Sequence, residues 1–127
     1  MLEKICTDLE TSKRLKELGF EAETDFYWTI TTIDEWNKNQ WNIIYFKDRV
    51  MAKYEPTVPA YTLEQILNEL PRNIMISQIV YDLSIDNYDI GYHNTLFKKT
   101  YIQFSKQNNL ATAAAKLWIK LKEDKII

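Results

Sequence analysis

The sequence predicts an α+β domain of order α-βββ-α-βββ-α, an antiparallel sheet with its helices packed mainly on one face. Three observations carry that expectation. Helix-start and helix-stop signals bracket short amphipathic stretches around residues 7–18, 62–70 and 109–122. Between them lie runs rich in β-branched and aromatic residues whose polarity alternates with a period of two. Gly occurs twice and Pro three times in 127 residues, where average usage gives roughly nine and six, so ordered elements should fill most of the chain.

The first helix opens at Thr7-Asp8-Leu9-Glu10, which has the pattern of a capping box with Thr7 as the cap. Leu9, Leu15 and Leu18 mark one face, and Gly19 is the left-handed terminator with Phe20 folding back on the last turn. Phe26 to Thr32 is a strand with Phe26, Trp28 and Ile30 on one face, and Trp41 to Phe46 is a second. Val50 to Tyr54 is expected as a third, with Pro56 and Pro59 stopping further pairing.

Thr62-Leu63-Glu64-Gln65 is the clearest helix start, with Tyr61 and Ile66 placed as its hydrophobic staple. Leu63, Ile66, Leu67 and Leu70 form its buried stripe, and Pro71 ends it within a residue or so of Leu70. Ile74 to Ile85 and Tyr88 to His93 then read as a hairpin about a two-residue Asp86-Asn87 turn. That turn sets Ile85 opposite Tyr88, Leu83 opposite Ile90 and Tyr81 opposite Tyr92. A strand over about Lys99 to Phe104 carries Ile102 and Phe104 inward. The closing helix starts at Asn108 or Asn109, with Leu110, Ala114, Leu117, Trp118 and Leu121 at helical spacing.

These elements make one globular domain over residues 1–127. The block of three strands and a helix recurs over about residues 26–70 and 74–122, a possible internal βββα pseudo-repeat.

Several pieces resemble small uncharacterised proteins of Bacteroidota phages and prophages. They are Leu15-Lys16-Glu17-Leu18-Gly19-Phe20, Phe26-Tyr27-Trp28, Pro59-Ala60-Tyr61-Thr62-Leu63-Glu64-Gln65-Ile66-Leu67 and the Ala-rich helix through Leu117-Trp118-Ile119. The resemblance implies a phage-associated accessory protein and brings no catalytic residue, cofactor or partner with it.

Most catalytic constellations need residues this chain lacks. With only Gly19 and Gly91 there is no dinucleotide fingerprint, phosphate-cradling loop or nucleophile elbow. One Cys and one His do not make a closed zinc site, and the single Cys6 excludes an intramolecular disulfide. A calcium loop counted from Asp82 has Asn87 where Gly is needed and His93 where a bidentate Glu is needed. His93 beside Asp82 or Asp89, and a Cys6/His93 dyad, are the remaining acid/base combinations. No catalytic, metal or cofactor site is expected, and the protein is read as non-enzymatic. The absence of a long apolar run and of an apolar stretch behind a basic leader argues for a cytoplasmic protein outside the membrane.

Charge is unevenly distributed. Residues 1–55 hold 8 basic and 11 acidic side chains, 56–93 hold 1 and 5, and 94–127 hold 7 and 2. The basic end interleaves lysines with Tyr92, Phe97 and Tyr101, a mixture suited to tracking phosphates and stacking bases. The order helix, three strands, helix also occurs in double-stranded RNA binding domains. Those place a lysine cluster at the start of the second helix, where this chain has Thr62-Leu63-Glu64-Gln65. The leading expectation is therefore a protein-interaction module, with self-association included. Its candidate surface is Trp36, Trp41, Tyr92, Phe97, Lys98, Lys99 and Tyr101. Nucleic-acid binding through the basic C-terminal segment is the alternative.

Overall fold

The computed structural model describes residues 4–32, 40–45, 57–106 and 109–127. Its elements run α1 (Leu9–Glu17), β1 (Phe26–Thr32), β2 (Gln40–Tyr45), β3 (Thr57–Ala60), α2 (Leu63–Leu67), β4 (Asn73–Ile76), β5 (Ile79–Ile85), β6 (Asp89–Asn94), β7 (Lys99–Ser105) and α3 (Leu110–Glu123). The fold is α+β as expected, with four strands in the second run instead of three. The strands form two antiparallel sheets, one ordered β2-β1-β3 and the other a meander β4-β5-β6-β7. Among the described residues the two runs therefore differ in strand order.

α1 is capped by Asp8, not Thr7: Asp8 Oδ1 accepts from the Thr11 amide at 2.8 Å. Thr7 turns inward because it has stronger obligations there. Its Oγ1 lies 2.6 Å from Ser12 Oγ and accepts from the Tyr61 amide at 3.2 Å, while its own amide donates to the Tyr61 carbonyl at 2.9 Å. At the other end Gly19 is left-handed (φ +83°), with Phe20 N–H on the Leu15 carbonyl and Gly19 N–H on the Lys16 carbonyl. This is a Schellman closure, and it packs Phe20 into the core beside Leu15.

The expected strand at Val50 to Tyr54 lies outside the described residues. The described third strand is β3, and Pro59 sits inside it opposite Tyr27. Pairing survives the proline because β3 is an outer strand of its sheet, where a missing amide need not break a ladder. α2 begins with the expected capping box, Gln65 Oε1 accepting from the Thr62 amide at 2.8 Å and Thr62 Oγ1 from the Gln65 amide at 3.4 Å. The helix stops at Leu67, three residues early, so Leu67 is only half-buried while Ile66 and Leu70 are buried.

The segment Ile74 to Ile85 is two strands, not one. Ser77 and Gln78 both have positive φ (52° and 67°) and form a two-residue turn that sets Ile76 opposite Ile79. The β5–β6 register also differs: Leu83 faces Tyr92 and Ile85 faces Ile90, with residues 86–88 forming the loop before Asp89 opens β6. Asp86 makes that loop by accepting from the Tyr88 and Asp89 amides at 2.7 and 2.9 Å, which holds its carboxyl below the ordinary range. The displacement is two residues, one full pleat, so Tyr81, Leu83, Ile90 and Tyr92 keep their expected face, while Tyr88, expected in the strand opposite Ile85, lies in the loop and is exposed.

Ile74, Tyr81, Ile90 and Tyr92 face a common core with Leu15, Ile66, Leu117, Trp118 and Leu121. α3 lies on the inner face of β6 and β7 and touches both other helices. Its alanines 111 and 113–115 are all buried, which allows that close approach. Gly91 lets β6 and β7 come together, since a Cβ there would collide with the Ile102 carbonyl. α3 is capped by Asn109, whose Oδ1 accepts from the Thr112 amide at 2.8 Å. Asn109 Nδ2 also donates to the Cys6 carbonyl at 2.8 Å, and the Asp8 amide donates to Thr112 Oγ1 at 3.0 Å. Residues 6–8 are thereby fastened to the start of the last helix.

Candidate interaction surface

The sequence-derived surface does not assemble as one patch. Trp36 lies outside the described residues. Trp41 is on β2 in the three-stranded sheet, half-buried, with Lys13 Nζ of α1 5.3 Å from its ring centroid. Tyr92 is fully buried and belongs to the core, with its hydroxyl donating to the Pro71 carbonyl at 2.6 Å. Burial drives its phenol strongly upward in pKa. Its parity with Ile90, two residues before it on β6, was the sequence signal for an inward position. Tyr101 is half-buried on β7, its ring centroid 5.9 Å from that of Tyr81, and its hydroxyl donates to Asp124 Oδ2 at 2.6 Å. That bond ties β7 to the end of α3 and depresses the Asp124 carboxyl.

Phe97, Lys98 and Lys99 do come together, at the β6–β7 turn. Asn94 organises this turn from both sides. Its Oδ1 accepts from the Phe97 amide at 2.7 Å and its Nδ2 donates to the Val80 carbonyl at 2.8 Å. The turn is thus tied to β5, next to the cross-strand pair Met75 and Val80 on the outer sheet face. Four large apolar side chains result at one end of the sheet: Leu96 is 81% exposed, Met75 69%, Phe97 60% and Val80 40%. Val80 alternates outward from Tyr81 with or without a break, but an unbroken strand over Ile74 to Ile85 puts Met75 on the face of Tyr81, and the break at Ser77-Gln78 is what turns it outward.

The acid/base combinations do not form an enclosed site. Asp82 faces His93 across β5 and β6 on the outer sheet face, where His93 Nδ1 meets Thr100 Oγ1 at 2.8 Å. Asp89 accepts from Gln103 Nε2 at 2.7 Å. Cys6 is fully buried beside Thr62, apart from His93, and burial pushes its thiol up to about 11. Among the described residues no group of three or more His, Cys, Asp or Glu side chains is placed to hold a metal ion.

Two other features complete the surface. An open cleft of about 250 Å³ at the start of α3 has Ile5, Leu63, Leu110 and Ala111 as apolar lining, with Lys4 and Lys106 beside them. Of the other lysines in the basic C-terminal segment, Lys116, Lys120 and Lys122 are spread along α3 and Lys125 follows it; Lys120 pairs with Asp124 at 3.3 Å and Lys122 lies 6.0 Å from the Trp118 ring centroid. Among the described residues no helix is long and apolar enough to cross a membrane. Comparison with protein-family models, curated proteins and solved structures finds no match for this chain.

Proposed function

We propose that this protein is a non-enzymatic interaction module of the cytoplasm, an accessory of the kind the phage and prophage resemblance suggests. It engages a protein partner through Met75, Val80, Leu96 and Phe97. The observation supporting this is their placement at one end of the sheet: apolar residues scattered singly over a surface are ordinary, whereas large exposed ones brought to one place beside charge mark a docking site. Lys98 and Lys99 supply that rim, so the fitting partner presents an apolar centre beside acidic groups.

Selection of displayed peptides on the immobilised protein tests this. Selected peptides should combine apolar and acidic residues and should lose binding to a Leu96→Ser/Phe97→Ser variant whose thermal melt is unchanged. Failure to select any sequence, or equal binding by the variant, would overturn the reading. The competing reading, nucleic-acid binding, is favoured by Phe97 standing exposed beside Lys98 and Lys99. It requires oligonucleotide binding in fluorescence anisotropy that weakens steeply with salt and disappears in Lys98→Ala/Lys99→Ala.

A further inference from the structure

We infer that the free edge of β4 is a self-complementary docking strand, on which a second copy of this chain pairs antiparallel and joins the two four-stranded sheets into one. This deepens the interaction-module reading by naming a partner, and it rests on that reading.

Natural sheets protect their edges with charges, prolines, bulges or covering segments. β7 has Lys98 and Lys99 at its start, Lys106 just beyond its end and an irregular register between Tyr92 and His93. β3 carries Pro59, has Lys16 Nζ donating to the Thr57 carbonyl at 3.4 Å, and is followed by the Cys6–Thr62 bridge. β4, with the sequence Asn73-Ile74-Met75-Ile76, has no charge, proline or bulge within it, Pro71 and Arg72 lying just before it, and among the described residues no strand pairs with its outer side.

The backbone phase of this edge is fixed by one hydrogen bond. The Leu83 amide donates to the Arg72 carbonyl at 2.8 Å, extending the β4–β5 register by one pair. Bonded pairs alternate in an antiparallel ladder, so Arg72, Ile74 and Ile76 direct their amides and carbonyls at β5. Those of Asn73 and Met75 therefore point away from β5, toward the free edge. A two-fold axis at Ile74 brings Asn73 opposite Met75 of the other copy, and Met75 opposite its Asn73, as two doubly bonded pairs. All outward groups of the strand are then used. Ile74 meets Ile74 on the core face, each Arg72 lies opposite an Ile76, and no like charges are opposed. An uncharged strand that fits its own two-fold image is the argument for a second copy as occupant. Four residues bury less than the roughly 1,200 Å² of a stable interface, so the association is weak and depends on concentration.

Sedimentation velocity of the intact protein from roughly 20 μM to 1 mM, the regime of small interfaces, should show the mean mass rising toward a dimer. Met75→Pro removes an outward amide without touching the β4–β5 ladder and should leave a monomer throughout. Should that variant fail to fold, Met75→Lys places like charges at the edge and should also remain monomeric, while Val80→Lys, one strand inward, should still associate. A wild type monomeric at every loading would overturn the proposal, as would association retained in Met75→Pro or Met75→Lys. Association that survives Met75→Pro but is lost in Leu96→Ser/Phe97→Ser would refute strand pairing and leave the interaction-module reading standing. Peptides that bind neither the wild type nor the variants would remove that reading itself.

Discussion

The indole Nε1 of Trp28 donates to the carbonyl of Thr7 across 2.9 Å, linking the central strand of the three-stranded sheet to the entrance of α1. Thr7 is thereby held through its amide, carbonyl and hydroxyl, by β1, by α1 and by the residue leading into α2. This junction is polar yet buried, and its strength lies in each group having a partner.

Thr7→Val keeps the shape of the side chain and deletes Oγ1. The Tyr61 amide then loses its acceptor inside the protein, which should cost about 2 kcal/mol. Urea unfolding should show the midpoint falling at an unchanged slope; an unchanged midpoint would contradict this account of the junction.

Thr29, on the same central strand, is the opposite case. Its Oγ1 is buried and, among the described residues, has no hydrogen-bond partner. Thr29→Val retains the β-branch that suits a strand and removes the stranded hydroxyl, so it should raise stability by about 1 kcal/mol. A lower melting temperature in Thr29→Val would show that the hydroxyl contributes after all.

Alkaline pH should unfold the protein. Burial lifts Cys6 from 9.0 to about 11. Burial first, and then the charges of Tyr27 and Glu21, lifts Tyr61 from 10.0 to about 12. Tyr101 also reaches about 12, through burial and then its bond to Asp124. Each group holds its proton more tightly folded than unfolded, so their stabilisation is complete below pH 9 and lost as pH rises through 9–12. Melting temperature followed with tyrosinate absorbance should be flat at neutral pH and fall across that window, with tyrosines ionising as the protein unfolds. A constant melting temperature up to pH 11 would contradict it.

The elements legible in the sequence were those specified locally. Thr62 and Gln65 satisfy one another within a single turn, Asn109 caps its own helix, and Gly19 supplies the left-handed residue its Schellman closure requires. What escaped were the positions where tertiary structure imposes an unfavoured backbone. Ser77, Gln78 and Lys125 are all left-handed, without the Gly or Asn that would announce it. Lys125 closes α3 as Gly19 closes α1, with Ile126 N–H on the Leu121 carbonyl. Of the candidate surface, the β6–β7 turn was legible because an aromatic beside two lysines sits poorly in a core. Tyr92 sits in the core because it shares the strand parity of Ile90, which its aromatic, interface-like character does not reveal.

The bonds from Asp8 to Thr112 and from Cys6 to Asn109 span 104 and 103 residues. During synthesis, an emerging chain has no partner for these groups until the last helix has left the ribosome. Loop-closure entropy makes such distant contacts late and slow to form. The contacts of Cys6 and Asp8 with the last helix should therefore form near the end of folding, and a chain released before residue 112 should lack native protection at Cys6 and Asp8.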